Sequence, residues 1–293
     1  MVLPFRFGLN MLAPTSRSAW VEKCRRAERL GFDVIGVADH LGMAAPFPAL
    51  MLAAEVTERV RLTTFLLNTP FYNPVLLARD VAGLDQFSGG RFELGLGAGY
   101  VQSEFEAAGM PFPSAGRRVD HVEQTVATLR RLYADPEYTP CPVQPGGPPL
   151  LIAAWGERTL RLSAEYARTI ALVAGHTSDS GHITVADSIT TAKKVDYVRG
   201  LLGSRADTVE FNLLVQGLAA PAERTAFLEQ LAPHISPASA DEPEDIPVLL
   251  IGTPEQQAET LRARRERYGF SYITVNERNL EKFAPLIPLL RGT

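Results

Sequence analysis

At 293 residues, with 46% hydrophobic and 21% charged side chains, the chain has a globular composition and is long enough for one large domain of α/β-barrel size. Its 33 acidic and 29 basic residues leave a formal charge of −4, interleaved along the sequence with no basic stripe to follow a phosphate backbone, so nucleic acid is not expected as a partner. Apolar runs break well short of the ~20 residues of a spanning helix, and Cys24 and Cys141 form neither a disulfide framework nor a metal-ligand cluster, so the expectation is a cytoplasmic protein without membrane or metal.

In chain order, short apolar runs alternate with helical periodicity eight times, the pattern of βα units feeding a parallel sheet. Strands are predicted over residues 6–11, 34–38, 60–67, 92–96, 150–153, 169–173, 209–216 and 272–275. Helices are predicted over 18–30, 48–57, 74–87, 119–133, 157–167, 186–202, 254–268 and 280–290. Gly31 ends the first helix, Pro74 opens the third, and Thr253-Pro254-Glu255-Gln256 is a capping box with proline at the first helical position. Eight such units fit a (β/α)8 TIM barrel spanning 1–293 as a single domain, whereas a doubly wound sheet usually stops at fewer strands.

Barrel polarity sorts the loops, because the loops after strands build the reactive face and those after helices the stabilising face. The Pro-rich stretch 134–149 joins a helix to a strand and belongs to the stabilising face. Two long insertions belong to the reactive face: 175–182 after strand six, and 219–247 after strand seven, which carries a short helix over 221–232. Loops of this length in a compact fold are commonly lids or binding loops.

Asp39 and His40 fall where strand two ends and should face the barrel mouth. An imidazole there can donate a hydrogen bond, relay a proton near neutral pH, or simply hold its loop. Strand four finishes in the alternating glycines Gly95, Gly97 and Gly99, which permit close backbone approach to a flat or anionic ligand. Their spacing is not that of a dinucleotide fingerprint. Strand five runs through Trp155 and Gly156 into a helix starting Glu157-Arg158-Thr159, where free N–H groups could hold a phosphate or form an ordinary turn. No lysine ends a strand, which disfavours Schiff-base chemistry. His121 reads as an inert helix residue, and His176 and His182 as solvated loop residues or substrate contacts.

Several of these segments together resemble one family. The Asp39-His40 pair after strand two, the block from Arg59 to Gly109, the block from Leu150 to Ala167 and the closing block from Gly252 to Val275 resemble the luciferase-like flavin and deazaflavin oxidoreductases, in particular the branch that uses coenzyme F420. The resemblance implies a luciferase-like TIM barrel that holds a tricyclic ring at its mouth, with FMN as the alternative cofactor. It also implies a cis peptide at Phe65–Leu66 backing that ring. Family positions that contact cofactor or substrate map to Asp39, His40, Ala98, Gly99, Tyr100 and Ser103, and the phosphate-binding turn maps to Trp155, Gly156, Glu157, Arg158 and Thr159.

The departures narrow the expected chemistry. Sugar-phosphate dehydrogenases of this family carry a catalytic glutamate where this chain has Tyr100, and their substrate-phosphate lysines have no counterpart here. A phenol with a reference pKa of about 10 stays protonated at neutral pH, which makes Tyr100 a donor and not a base. The resemblance therefore implies hydride transfer between F420 and a small organic substrate, reducing a C=C or C=N bond in secondary metabolism, with His40 and Tyr100 as the catalytic residues. The alternative it leaves open is an FMN-dependent monooxygenase using reduced flavin and O2. A homodimer is implied by resemblance alone.

Overall fold

The computed structural model describes residues 3–12, 16–172, 175–177, 183–235 and 242–293; of His176, Thr177 and Ile183 only the backbone is described. All eight predicted strands form: β1 (Arg6–Met11), β2 (Val34–Val37), β3 (Arg61–Thr64), β4 (Phe92–Gly97), β5 (Leu150–Ala154), β6 (Thr169–Leu172), β7 (Glu210–Val215) and β8 (Phe270–Asn276). Each pairs in parallel with the next, and β8 pairs with β1 at Phe7↔Ile273, so the sheet closes into the expected (β/α)8 TIM barrel. The strands are buried on both faces, which is why they read as continuous apolar runs and not as alternation.

The third strand differs from its predicted single run. It breaks at a cis peptide between Phe65 and Leu66 and resumes at Leu67–Asn68, which pairs with β4 at Leu67↔Leu96. The break fits against glycine: a Cβ on Gly95 would lie 1.9 Å from the Thr64 carbonyl oxygen. The Thr64 hydroxyl repairs the ladder there, donating to Gly95 O at 2.7 Å and accepting from Gly95 N at 2.9 Å. Close approach without a side chain is what turns an uninterrupted apolar pattern into a bulge.

The outer layer is α1 (Arg17–Arg29), α2 (Pro46–Val56), α3 (Pro74–Phe87), α4 (Gln102–Ala107), α5 (Ala115–Tyr133), α6 (Glu157–Tyr166), α7 (Ser188–Leu202), α8 (Arg224–Leu231), α9 (Pro254–Tyr268), α10 (Leu280–Phe283) and α11 (Leu286–Leu290). The capping box at α9 forms as read, with Thr253 N donating to Gln256 Oε1 at 2.9 Å. The last predicted helix is two short ones, because Pro285 offers no N–H to continue α10. The six-residue α4 was not predicted, being too short to show a period. None of the described helices is long and apolar enough to cross a membrane.

The N-terminal end of the barrel is closed by charge. Arg6, at the start of β1, donates to both carboxylate oxygens of Glu93 at 2.9 and 2.7 Å, and Arg61 Nε reaches the same carboxylate. Arg6 also stands 4.2 Å over the ring of Tyr272. Next along the axis, Val34, Phe65, Leu151, Ala171 and Tyr272 pack as an inner cluster. The 134–149 segment stays at this end, as polarity requires, with Gln144 N and Nε2 donating to Asp85 and Nε2 also to Phe92 O. The opposite, C-terminal end is left open. Of the two insertions expected there, 178–182 and 236–241 lie outside the described residues; the described part adds a short parallel pair, Gly217–Ala219 with Leu249–Ile251.

Candidate active site

A cavity of about 500 Å³ occupies the C-terminal mouth, lined by the ends of strands and the residues just after them. Its volume lies within the ~300–1,000 Å³ of ordinary ligand clefts. One wall is the Phe65–Leu66 bulge with Ala98 and Gly99 beside it; another is Asp39 and His40; a third is the turn from Ala153 to Gly156. Gly99 is required where it stands: its φ is +70°, and a Cβ would come within 2.3 Å of Asn68 Oδ1.

His40 Nδ1 lies 2.8 Å from Glu104 Oε1, and the Tyr100 ring stands edge-on to the imidazole with centroids 5.8 Å apart. Burial, with Glu104 adding to it, pushes the Tyr100 phenol above its ordinary range, so at neutral pH it holds its proton. Burial likewise raises the Asp39 carboxyl, opposed by hydrogen bonds from Asn68 N at 2.9 Å and from the Tyr72 hydroxyl and by the nearby His40. Asp39 is therefore tied into the wall on two sides, while His40 and Tyr100 line the cavity beside it.

Amides line the deeper part. Asn10 Nδ2 donates to Asn276 Oδ1 at 3.1 Å, and Asn212 Nδ2 donates to Thr274 Oγ1 at 2.7 Å and Tyr272 O at 3.1 Å. Asn10 Oδ1 and Asn68 Oδ1 are buried without a partner, although both residues line the cavity. Buried acceptors left open in this way fit a polar, planar ring with N–H donors better than an aliphatic ligand.

At the start of α6 no side chain caps the first turn: Gly156 is the N-cap residue, Trp155 N donates to Thr159 Oγ1 at 3.3 Å, and Thr159 Oγ1 donates to Gly156 O at 2.9 Å. Such a helix start keeps N–H groups open for an anion. The Lys194 ammonium lies 5.8 Å from the centroid of the Trp155 ring, putting a cation beside the turn.

Of the residues singled out from sequence, the structure brings Asp39, His40, Phe65, Leu66, Ala98, Gly99, Tyr100, Trp155, Gly156 and Thr159 to one cavity. Ser103, Glu157 and Arg158 are exposed and stand outside its lining. Arg158 points to α5 instead, pairing with Asp120 at 2.7 Å and with Glu123 at 2.7 Å through Nε. His121 Nε2 lies 3.0 Å from the Tyr72 carbonyl, a structural contact. The His176 side chain and His182 lie outside the described residues. Sequence reading missed Glu104 and the amides Asn10, Asn68, Asn212 and Asn276. The amides share one signal in hindsight: most sit at or near the C-terminal end of an apolar strand, where a polar residue faces the mouth. Among the described residues no cluster of His, Cys, Asp and Glu could hold a metal ion.

Against known proteins, the luciferase-like monooxygenase family profile matches residues 1–272. An F420-dependent glucose-6-phosphate dehydrogenase of Intrasporangium calvum is 36% identical over 130 residues, 41% of this chain and 39% of that protein. The oxygenase component of a flavin-dependent trigonelline monooxygenase from Acinetobacter baylyi is 32% identical over 151 residues, 46% of this chain and 42% of that protein. The matched region thus spans about two fifths of these relatives' length. Among solved structures, an F420-dependent secondary alcohol dehydrogenase in complex with an F420-acetone adduct superposes with a TM-score of 0.77 at 18% identity, over 99% of this chain and 100% of the other. A monooxygenase from Streptomyces bottropensis superposes at 0.75 with 21% identity, over 97% and 98%. At these identities the superpositions bear on the fold, and it is the profile match over nearly the whole chain that places it: the chain belongs to the luciferase-like monooxygenase family.

Proposed function

We propose that this protein is a coenzyme F420-dependent oxidoreductase that reduces a C=C or C=N bond of a small organic substrate. The observation that carries the reading is the mouth cavity itself, which the residues of the Phe65–Leu66 bulge line together with His40 and Tyr100. The similarity to F420-dependent dehydrogenases supports it. The deazaflavin, when bound, supplies or accepts the hydride. The bulge would back its ring, Asp39, Ala98 and Gly99 would flank it, and the open N–H groups from Gly156 to Thr159 would take its phosphate, with Lys194 nearby.

His40 stabilises or protonates the substrate, and Tyr100, its phenol kept protonated, donates a hydrogen bond. The protein's main contribution is placement, holding the reacting atoms about 3–3.5 Å apart with water excluded. A sugar phosphate fits poorly: no Lys or Arg is among the described residues lining the cavity, and the segments outside the described residues contain neither. We propose in addition that two copies pair, which would cover apolar side chains such as Leu76 and Phe87 of α3, 53% and 76% exposed.

A second reading, an FMN-dependent monooxygenase on the same barrel, is favoured by the similarity to the trigonelline oxygenase component. Oxygen separates the two. Supplied anaerobically with reduced F420 and a panel of enones and imines, the protein should oxidise the cofactor only when a substrate is present. A strict requirement for O2 and reduced FMN would move the protein to the second reading.

A further inference from the structure

Glu104 belongs to α4, the short helix after β4, and its carboxylate is 2.8 Å from Nδ1 of His40. An ionised carboxylate only accepts, so the proton in this bond belongs to Nδ1. Nε2 is then the ring nitrogen with which His40 meets a substrate. We propose that Glu104 is a positioning residue for His40, fixing both the orientation of the imidazole and the tautomer that keeps the proton on Nδ1. This rests on the reading of His40 as the residue that acts on the substrate.

Three observations separate the pair from an incidental surface contact. Both residues line the cavity, and the Glu104 side chain is only 13% exposed, so the hydrogen bond is partly withdrawn from water. The helix that carries Glu104 is anchored: Phe105, fully buried, packs against Phe71 at 4.8 Å and Phe112 at 5.1 Å between ring centroids. Arg118 ties the flanks of the segment together, donating from Nε to Gly99 O at 3.0 Å and from Nη1 to Pro113 O at 2.6 Å. Glu104 is therefore presented by a fixed scaffold, and the edge-on Tyr100 ring holds the imidazole from another side.

The consequence for the reaction is a defined proton position. In reduction of a C=N or C=C bond, a bound reduced deazaflavin would supply hydride to one atom, and His40, as the imidazolium protonated on both nitrogens, would give its Nε2 proton to the other. The ring is left neutral with its remaining proton on Nδ1, where Glu104 already accepts it. Without Glu104 the neutral ring is free to carry its proton on Nε2 or to turn away, and the productive arrangement becomes a minority.

The tautomer can be read directly. The chain has five histidines, few enough for His40 to be assigned in long-range proton–nitrogen spectra of the full-length, 15N-histidine-labelled protein by comparison with His40→Gln. With neutral His40, the wild type should show Nδ1 protonated, Glu104→Gln should keep that form because its amide oxygen still accepts, and Glu104→Ala should lose it. In turnover, Glu104→Ala should lower kcat about tenfold or more with KM changed less than about twofold, and Glu104→Gln should recover part of the loss. An Nε2-protonated His40 in the wild type, or an unchanged tautomer in Glu104→Ala, overturns the proposal. Full turnover by His40→Gln would instead overturn the role of His40 itself, whatever the tautomer.

Discussion

Glu93 sits at the closed end of the barrel, 3% exposed, with Arg6 and Arg61 around it. Burial by itself would raise its carboxyl, but the two guanidiniums and their hydrogen bonds hold it below the usual carboxylate range. A carboxylate depressed in the folded state contributes stability that is present above its unfolded value of about 4.3 and is lost as pH falls through the folded value. Denaturant unfolding of the wild type should therefore weaken with acid across that window, and Glu93→Gln should show a shallower slope there. At neutral pH the same variant takes the shared carboxylate from Arg61 and leaves Arg6 only Glu210 at 3.5 Å, and should cost about 3–5 kcal/mol. Parallel slopes for the two proteins would show that Glu93 is not what links stability to pH.

At the open end the same pairing of types is put to a different use. His40→Ala should leave cofactor affinity within about threefold, because the bulge would still back the ring and the Gly156–Thr159 turn would still take the phosphate, but should cut turnover about a hundredfold. Unchanged turnover would remove His40 from the chemistry. His40 was legible in sequence because strand ends are placed by periodicity, and a histidine at a strand's C-terminal end is conspicuous. Glu104 was not: it lies 64 positions away on a helix of six residues, and only folding brings it to His40. Arg158 misled for the converse reason, since a basic residue at a helix start reads as an anion ligand unless one knows that Asp120 and Glu123 of α5 face it.

Among the elements, the junction of β3 and β4 carries most of the site's shape. The bulge at Phe65–Leu66 exists because β4 supplies Gly95 and Gly97, where a Cβ would meet the Thr64 carbonyl at 1.9 Å and Leu66 Cβ at 3.3 Å. Gly95→Ala should thus displace the bulge and cost about 3 kcal/mol or more in thermal unfolding, with loss of cofactor binding. A variant as stable as the wild type with intact binding would mean that the wall tolerates a shift. Periodicity alone read 60–67 as one strand, since a bulge leaves the apolar pattern intact; its place came only from resemblance. Boundaries set by local chemistry, such as Asn73 accepting from Val75 N at 2.9 Å and the Thr253–Gln256 box, matched to the residue.

For the molecule as a whole, eight parallel strands closed into a barrel were readable from eight switches of hydrophobic period, because parallel strands buried on both faces and amphipathic helices leave different patterns. What composition could not convey is the polarity of the interior: charge at one end, an apolar belt, then amides and the His40 cluster at the other. The proposed pairing of two chains is checked by sedimentation equilibrium, which should return twice the mass of one chain; a monomer at micromolar concentration would contradict it.

Under the proposed function the mouth cavity receives F420. This is tested most directly by titrating the purified protein with F420 and, separately, with FMN under the same conditions, following fluorescence quenching. F420 should bind saturably and at least about tenfold tighter than FMN, a difference of about 1.4 kcal/mol. The reverse preference, or no binding of F420, would contradict it.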